Sequence, residues 1–410
     1  MVKVRTSPHV TILRSYLAQS PRSALNVTAG QRRKSFMNVP LVILLFTMRS
    51  LFIVRRSKHL LVPFLTCAAL FSCRPTSLLY EGVLSPIKVV PDLPEKELDW
   101  HPFDSFPDWG DQRICSVYDS LAISYVGYRR NASFWNVSSW KSGTDFGDFV
   151  LRGRGPTELL SCSFFIDVYP FQGKTYALLY DFSSTSFFRW DVTSSLESGR
   201  TILEKESSLN RQIPLMSFFK SEEGEIVIND SGQNAFTEEM LSPPRVLLFD
   251  PVSMTIRDSI PVFRPVNYRC EDNPVVSKVI FNSSDCYHPS SHLLCMAMTC
   301  FPAIVFVNTQ TKELNTIVIQ GQPHSIARKG FRSFQSVSAS DDRIYALYSG
   351  EKRRKEVACK ATVLYEFSWD GDLLNKYRLK EDVQSISFDK ASQRLFFFNP
   401  QLEKVWYRDM

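Results

Sequence analysis

From residue 114 onward the chain alternates apolar and polar positions in short runs separated by tight polar turns. A period of two marks strands, and long runs with helical spacing are scarce. One unit recurs: an alternating strand, a tight turn, a strongly apolar strand, a loop, then a hairpin of two more strands. Its clearest copy is FQSVSAS-DD-RIYALYSG with ATVLYEFSWDGDLLNKYRL, within residues 334–379. Other copies open at ICSVYD (114–119), SFFIDV (163–168), PLMSFFK (214–220), KVIFNSS (278–284) and VQSISFD (383–389). Second strands are expected to start near Leu121, Thr175, Glu225, His292, Arg343 and Arg394. Third strands read SFWNV, SFFRWD, RVLLFD, AIVFVN, VLYEFSWD and KVWYRD.

Five copies continue into a fourth strand, whereas the sixth reaches Met410 without one. The remaining strand-like segment is PIKVVPDL, residues 86–93. Small sheets arranged radially must hide their first and last edges, because an open edge invites pairing with another chain. The pattern therefore predicts an all-β fold over residues 85–410, a six-bladed β-propeller with four antiparallel strands per blade. In this reading residues 86–93 close the ring as the outer strand of the last blade. A β-sandwich also has short, regular strands, but it gives the missing fourth strand no replacement.

Residues 55–73, RRSKHLLVPFLTCAALFSC, differ in kind. Basic residues, an apolar run from Leu60 to Phe71 and a small residue before Cys73 have the order of a secretory signal. The run is too short to span a bilayer, which takes about 20 residues. Leu70-Phe71-Ser72-Cys73 resembles a bacterial lipobox, which makes Cys73 the expected lipidation site. Two or more acyl chains on one cysteine anchor stably where one is marginal. Met48 opens a well-proportioned signal by itself, so residues 1–72 read as an over-extended start plus signal peptide, and 73–84 as a tether. A type II anchor over residues 38–71 is the alternative, although Arg49 interrupts it.

Charge marks the same boundary. Residues 1–73 hold 11 Lys/Arg and no Asp or Glu, which leaves 37 basic and 42 acidic residues downstream. The net charge of +6 belongs to the leader and gives no argument for a nucleic-acid partner. The seven cysteines after Cys73 are odd in number and irregularly spaced, so they read as buried apolar residues rather than a disulfide framework.

Between the first two copies lies LRGRGPTELLSCSFF, residues 151–165. A lipobox followed by six blades, with G-R-G-P-x-E after the first, resembles the TolB-like six-bladed propeller lipoproteins of anaerobic Gram-negative bacteria. That family usually reads G-x-G-P-G-E, and here Thr157 replaces the last glycine. The resemblance covers residues 73–410 and implies a fold and an envelope location, not a reaction.

In a propeller the loops from strand four to the next blade share a face with those between strands two and three. Arg129, Arg130, Arg152, Arg154, Arg328 and Arg332 are expected there, with Glu158 beside Arg154, as candidate ligand-binding residues. A basic face would draw an anionic partner such as an acidic glycan. Against this, the glycines of residues 153–156 suit turn chemistry, and charge runs are commonly solvated loops. The segment DCYHPSSH holds Asp285, Cys286, His288 and His292, which are zinc ligand types, but the spacing matches no closed site and reads as a loop. Enzymatic propellers place polar residues at inner-strand ends; here Asp119, Asp167 and Asn282 are the candidates for a channel cation, with Asp389 a further carboxylate. No nucleophile elbow, metalloprotease helix or phosphate loop occurs, and no catalytic residue, resident metal or cofactor is assigned.

The expectation is a monomeric, lipid-anchored envelope propeller that binds a protein or glycan, with the membrane as its other partner and nucleic acid as none. A hydrolase or lyase using the inner carboxylates and a divalent cation is the alternative. A structural subunit of an outer-membrane complex is another.

Overall fold

The computed structural model describes residues 83–103, 115–127, 132–210, 212–232, 243–264, 281–320, 331–352 and 361–410. Six small sheets stand in a ring, making a six-bladed β-propeller. From inner to outer strand, blade one runs from Cys115–Tyr118 to Asp145–Arg152, and blade two from Asp167–Phe171 to Leu203–Ser208. Blade three runs from Leu215–Lys220 to Thr255–Pro261, blade four from Ser283–His288 to Leu314–Ile319, and blade five from Phe331–Ala339 to Leu373–Val383. Blade six supplies three strands of its own, Ser385–Asp389, Arg394–Asn399 and Lys404–Asp409.

The apolar second strands sit deepest, because each is covered by neighbouring blades on both faces. Residues 294–298 and 395–399 are buried throughout. Between blades one and two, Ile123, Trp135 and Phe149 pack with Ala177, Leu179 and Trp190. The buried indoles keep partners: Trp135 Nε1 donates to Cys162 Sγ at 3.5 Å, and Trp190 Nε1 to Ser195 Oγ at 3.0 Å. Ser195 belongs to a short helix, Val192–Ser198, which the strand pattern does not predict. Asp191 caps it by accepting from the Ser194 amide, and Gly199 ends it at φ 65°.

Ring closure differs from the expectation. Residues 86–93 do not complete the last blade. Ile87–Val90 lies parallel to Thr316–Ile319 as a fifth strand on blade four. The chain then continues along the outer edges: Lys96–Glu97 pairs in parallel with Tyr377–Arg378 of blade five, and His101–Pro102 pairs antiparallel with Trp406–Tyr407 of blade six. A bridge from Val83 to Phe263 begins this strap on blade three. Ion pairs fasten its middle to blade five: Lys88 to Asp372 at 2.7 Å, Asp92 to Lys376 at 2.8 Å, Glu95 to Arg378 at 2.8 Å and Glu97 to Lys380 at 3.2 Å. Leu98 is buried, and Trp100 stacks on Trp406 with centroids 5.0 Å apart. An N-terminal strand does seal the ring, but it is His101–Pro102.

Blade four also shifts register from the expectation. Its inner strand is Ser283–His288, so DCYH is strand rather than loop and Asn282 just precedes it. Of the described cysteines, 162, 286, 295 and 300 are buried and Cys115 is half-buried, all as free thiols.

Candidate functional site

The inner strand of each blade turns one edge toward the channel, where its backbone amides have no strand to pair with. Polar side chains from the preceding blade supply acceptors instead. Ser284 Oγ of blade four accepts from the Val337 amide of blade five at 3.0 Å. Ser336 and Ser338 of blade five accept from Ile386 and Phe388 of blade six at 3.2 and 2.9 Å. Ser387 and Asp389 of blade six accept from Val117 and Asp119 of blade one at 2.9 and 2.7 Å. Asp167 of blade two does the same for the Lys220 amide of blade three at 2.7 Å. A buried amide without an acceptor costs about as much as a lost hydrogen bond. The S-x-S-x-S and S-x-S-x-D patterns of the inner strands therefore stitch blades together.

On the loop face the pattern changes. Ser217 of blade three donates to Asp285 Oδ2 of blade four at 2.5 Å, and Asn229 Nδ2 donates to the same oxygen at 2.8 Å. Asp285 Oδ1 and the neighbouring Asn282 Oδ1 are buried and have no hydrogen-bond partner among the described residues. Asp285 is 9% exposed, and burial raises its pKa above the ordinary carboxylate value. Both residues line a cleft of about 410 Å³ at the mouth of the channel. Its walls are Phe164 and Phe165 from blade two's entry, Ser217 from blade three, Ser283, Ser284 and Thr299 from blade four, and Arg332 and Gln335 from blade five. That volume lies within the range of small-molecule sites.

The sequence candidates are dispersed. Asp119 occupies the turn after blade one's inner strand with φ 55°, where Lys141 approaches within 3.6 Å. Asp167 is engaged by the Lys220 amide, and burial pushes its pKa up to about 7. Asn282 stands at the entry to blade four's inner strand, the opposite end from Asp119's turn, so the three do not share a site. Among the described residues no three His, Cys, Asp or Glu side chains are grouped to hold a metal ion. His288 instead bonds the Asp341 carbonyl at 2.9 Å, and His292 lies 3.4 Å from Glu223.

Of the candidate basic residues, Arg332 reaches the cleft. Arg152 lies over the Phe134 ring at 4.4 Å from its centroid, and Arg154 is exposed. Glu158 accepts from the Gly155 amide at 2.8 Å, and a Cβ on Gly153 would fall 1.8 Å from Glu158 Oε2. The GRGPTE segment is thus a glutamate-closed turn that leads into Glu158–Leu159, a two-residue strand parallel to Leu151–Arg152. Cys73, Arg129, Arg130 and Arg328 lie outside the described residues. Ser217, Thr299 and Gln335 carry no motif in the sequence, and Asp285 stands out there only within DCYHPSSH, as a zinc ligand type in an expected loop.

The fold has solved counterparts. A member of the DUF4221 family from Bacteroides vulgatus superposes with a TM-score of 0.51 at 10% identity, over 76% of this chain and 96% of that one. This chain shares that member's fold. A protein of Bacteroides fragilis predicted to be exported gives a TM-score of 0.48 at 11% identity, over 79% and 100%. A streptogramin B lyase gives 0.38 at 10% identity, over 67% and 71%. No protein-family model matches the sequence, and no curated protein does. At 10% identity the likeness to the DUF4221 member concerns the fold alone, so function has to be argued from the cleft.

Proposed function

We propose that the chain is a TolB-like, lipid-anchored propeller of the cell envelope that holds a glycan or protein ligand in the cleft on its loop face. The observation that carries this reading is a pair of buried acceptors on a cleft wall, Asn282 Oδ1 and Asp285 Oδ1, that find no partner among the described residues. Leaving such atoms without donors destabilises a folded chain by about 1–3 kcal/mol each, and a ligand bearing donors would relieve that cost. Hydroxyl and amide side chains around them offer both donors and acceptors, as binding sites for polar ligands do. The engagement of Asp167 and Asp389 by backbone amides favours binding over metal-assisted catalysis. No helix among the described residues is long and apolar enough to cross a membrane. The lipobox pattern at Cys73 supports attachment through lipid.

The reading is tested in two steps. Labelling with radioactive palmitate is expected to mark the wild-type chain and not Cys73→Ala, and equal membrane fractionation of the two would refute the anchor. Affinity electrophoresis against a panel of envelope polysaccharides and peptides is expected to show retardation that Asp285→Ala abolishes. Retardation by none of them, or retardation indifferent to that substitution, would refute the cleft.

A further inference from the structure

We infer that Cys286 and Cys295 of blade four are the site of a cross-strand disulfide, closed by thiol–disulfide exchange as the blade folds. The two residues stand directly opposite each other in the antiparallel ladder between Ser283–His288 and Leu293–Met298. The Thr299 amide donates to the Asn282 carbonyl at 2.8 Å, which makes that couple a hydrogen-bonded pair. Such pairs recur at every second residue, so Ser284 with Ala297 and Cys286 with Cys295 are of the same kind. In pairs of this kind the Cα atoms stand about 5.5 Å apart, inside the roughly 4.4–6.8 Å that a disulfide spans. Both side chains join one core cluster with Ile304, Phe306 and Ile344. The thiols lie within hydrogen-bonding reach of each other, and burial together with Cys286 holds the Cys295 pKa well above its ordinary value.

The other described cysteines are not placed to compete. Cys162 accepts from Trp135 and bridges to Asp181, Cys115 pairs with Ser124, and Cys300 lies past the end of the ladder in a different cluster. Exchange needs an oxidant that itself carries a disulfide, such as oxidised glutathione or a protein disulfide. Cys286, 9% exposed against 0% for Cys295, attacks it first as the thiolate and forms a mixed disulfide while one thiolate leaves. Cys295 then displaces the second thiol. Two S–H bonds are lost, one S–S bond forms in the chain and one breaks in the oxidant, and both protons end on the departing thiols. Burial keeps the Cys295 thiolate scarce once Phe334 and Val337 of blade five cover it. Closure therefore belongs to the hairpin stage, when only the eight residues 287–294 separate the two thiols. A chain outside the cytoplasm meets such oxidants, and the geometry of the pair holds whatever the cleft binds. The bond pins the strand that carries Asp285, next to Cys286, and thereby one wall of the cleft.

The test refolds the full chain from urea, in detergent, with a mixture of reduced and oxidised glutathione. Free thiols are then blocked and the tryptic peptides mapped by mass spectrometry. Peptide 279–312 holds Cys286, Cys295 and Cys300. It is expected to carry a single blocking group, on Cys300, and to stay joined after cleavage at Tyr287. Oxidant added to the folded, reduced chain should close the bond about tenfold or more slowly than oxidant present during refolding. Cys286→Ala and Cys295→Ala should each lose the bond and leave the remaining cysteine blocked, with circular dichroism checking the fold. The wild-type map decides the pairing even where a variant fails to fold. Three blocking groups on the wild-type peptide, glutathione retained on either cysteine, or either one joined to another thiol overturns the inference. Equal closure rates overturn closure at the hairpin stage.

Discussion

Two parts of the channel wall use the same residue types in different ways. Where blades five, six and one meet, Ser336, Ser338, Ser387 and Asp389 each accept an amide from the next blade. In the cleft lined by blades two to five, Asn282 and Asp285 keep buried oxygens with no donor among the described residues. The first arrangement lowers the free energy of the closed ring. The second raises it and leaves chemistry available, as sites that serve a ligand commonly do. Similar polar residues on similar strands thus differ in whether their oxygens are satisfied.

Substitution can break this contrast. The largest effect is expected at Asp389, which is fully buried and also receives the Ala391 and Ser392 amides and the Ser392 hydroxyl. Asp389→Ala should lower unfolding free energy by about 3 kcal/mol, because it strands several donors at once. Urea titration measures this, and a loss below about 1 kcal/mol would show that the stitching matters little.

A pH series gives the next largest effect. Asp167 titrates at about 7 in the folded chain against 3.8 in its ordinary state, with burial as the main cause. Between those values the unfolded chain loses this proton and the folded chain keeps it, so stability should fall as pH rises from 4 to 7. The decline is on the order of 2 kcal/mol once partial solvent contact is allowed for. Asp167→Asn should flatten that part of the profile, and an unchanged slope would assign it to other groups.

Asp285→Asn sharpens the contrast by its sign. Removing a buried charge with an unpaired oxygen should leave stability unchanged or raise it by about 1 kcal/mol, while Asp389→Asn should lower it. If both variants lose stability equally, the two parts of the channel wall do not differ in kind. The smallest expected change is Ser338→Ala, about 1 kcal/mol for one orphaned amide at Phe388.

The sequence made the repeat legible because the buried second strands and the polar turns between them recur with a fixed order. It misplaced the seam. IKVV at residues 87–90 is the most apolar stretch of the strap, so it attracted the role of closing strand. The segment that closes the ring is two residues long, His101–Pro102, and has no alternation to detect. In blade four the apolar VIF drew the expected inner strand several residues too early. Asp285 was therefore read with loop residues, although it lies inside the strand. The cleft itself gathers side chains from four blades that are distant in sequence. Only ring closure puts them together, and no local pattern encodes that.

The strap has a consequence for the order of synthesis. Residues 87–102 leave the ribosome early, yet their partners, Thr316–Ile319, Tyr377–Arg378 and Trp406–Tyr407, are among the later parts to be made. Blades four and five can take up the strap as soon as their outer strands exist, but His101–Pro102 must await Lys404–Asp409 before the last blade is sealed. Completion of the ring is thereby postponed until the last of the strap's partners has been made.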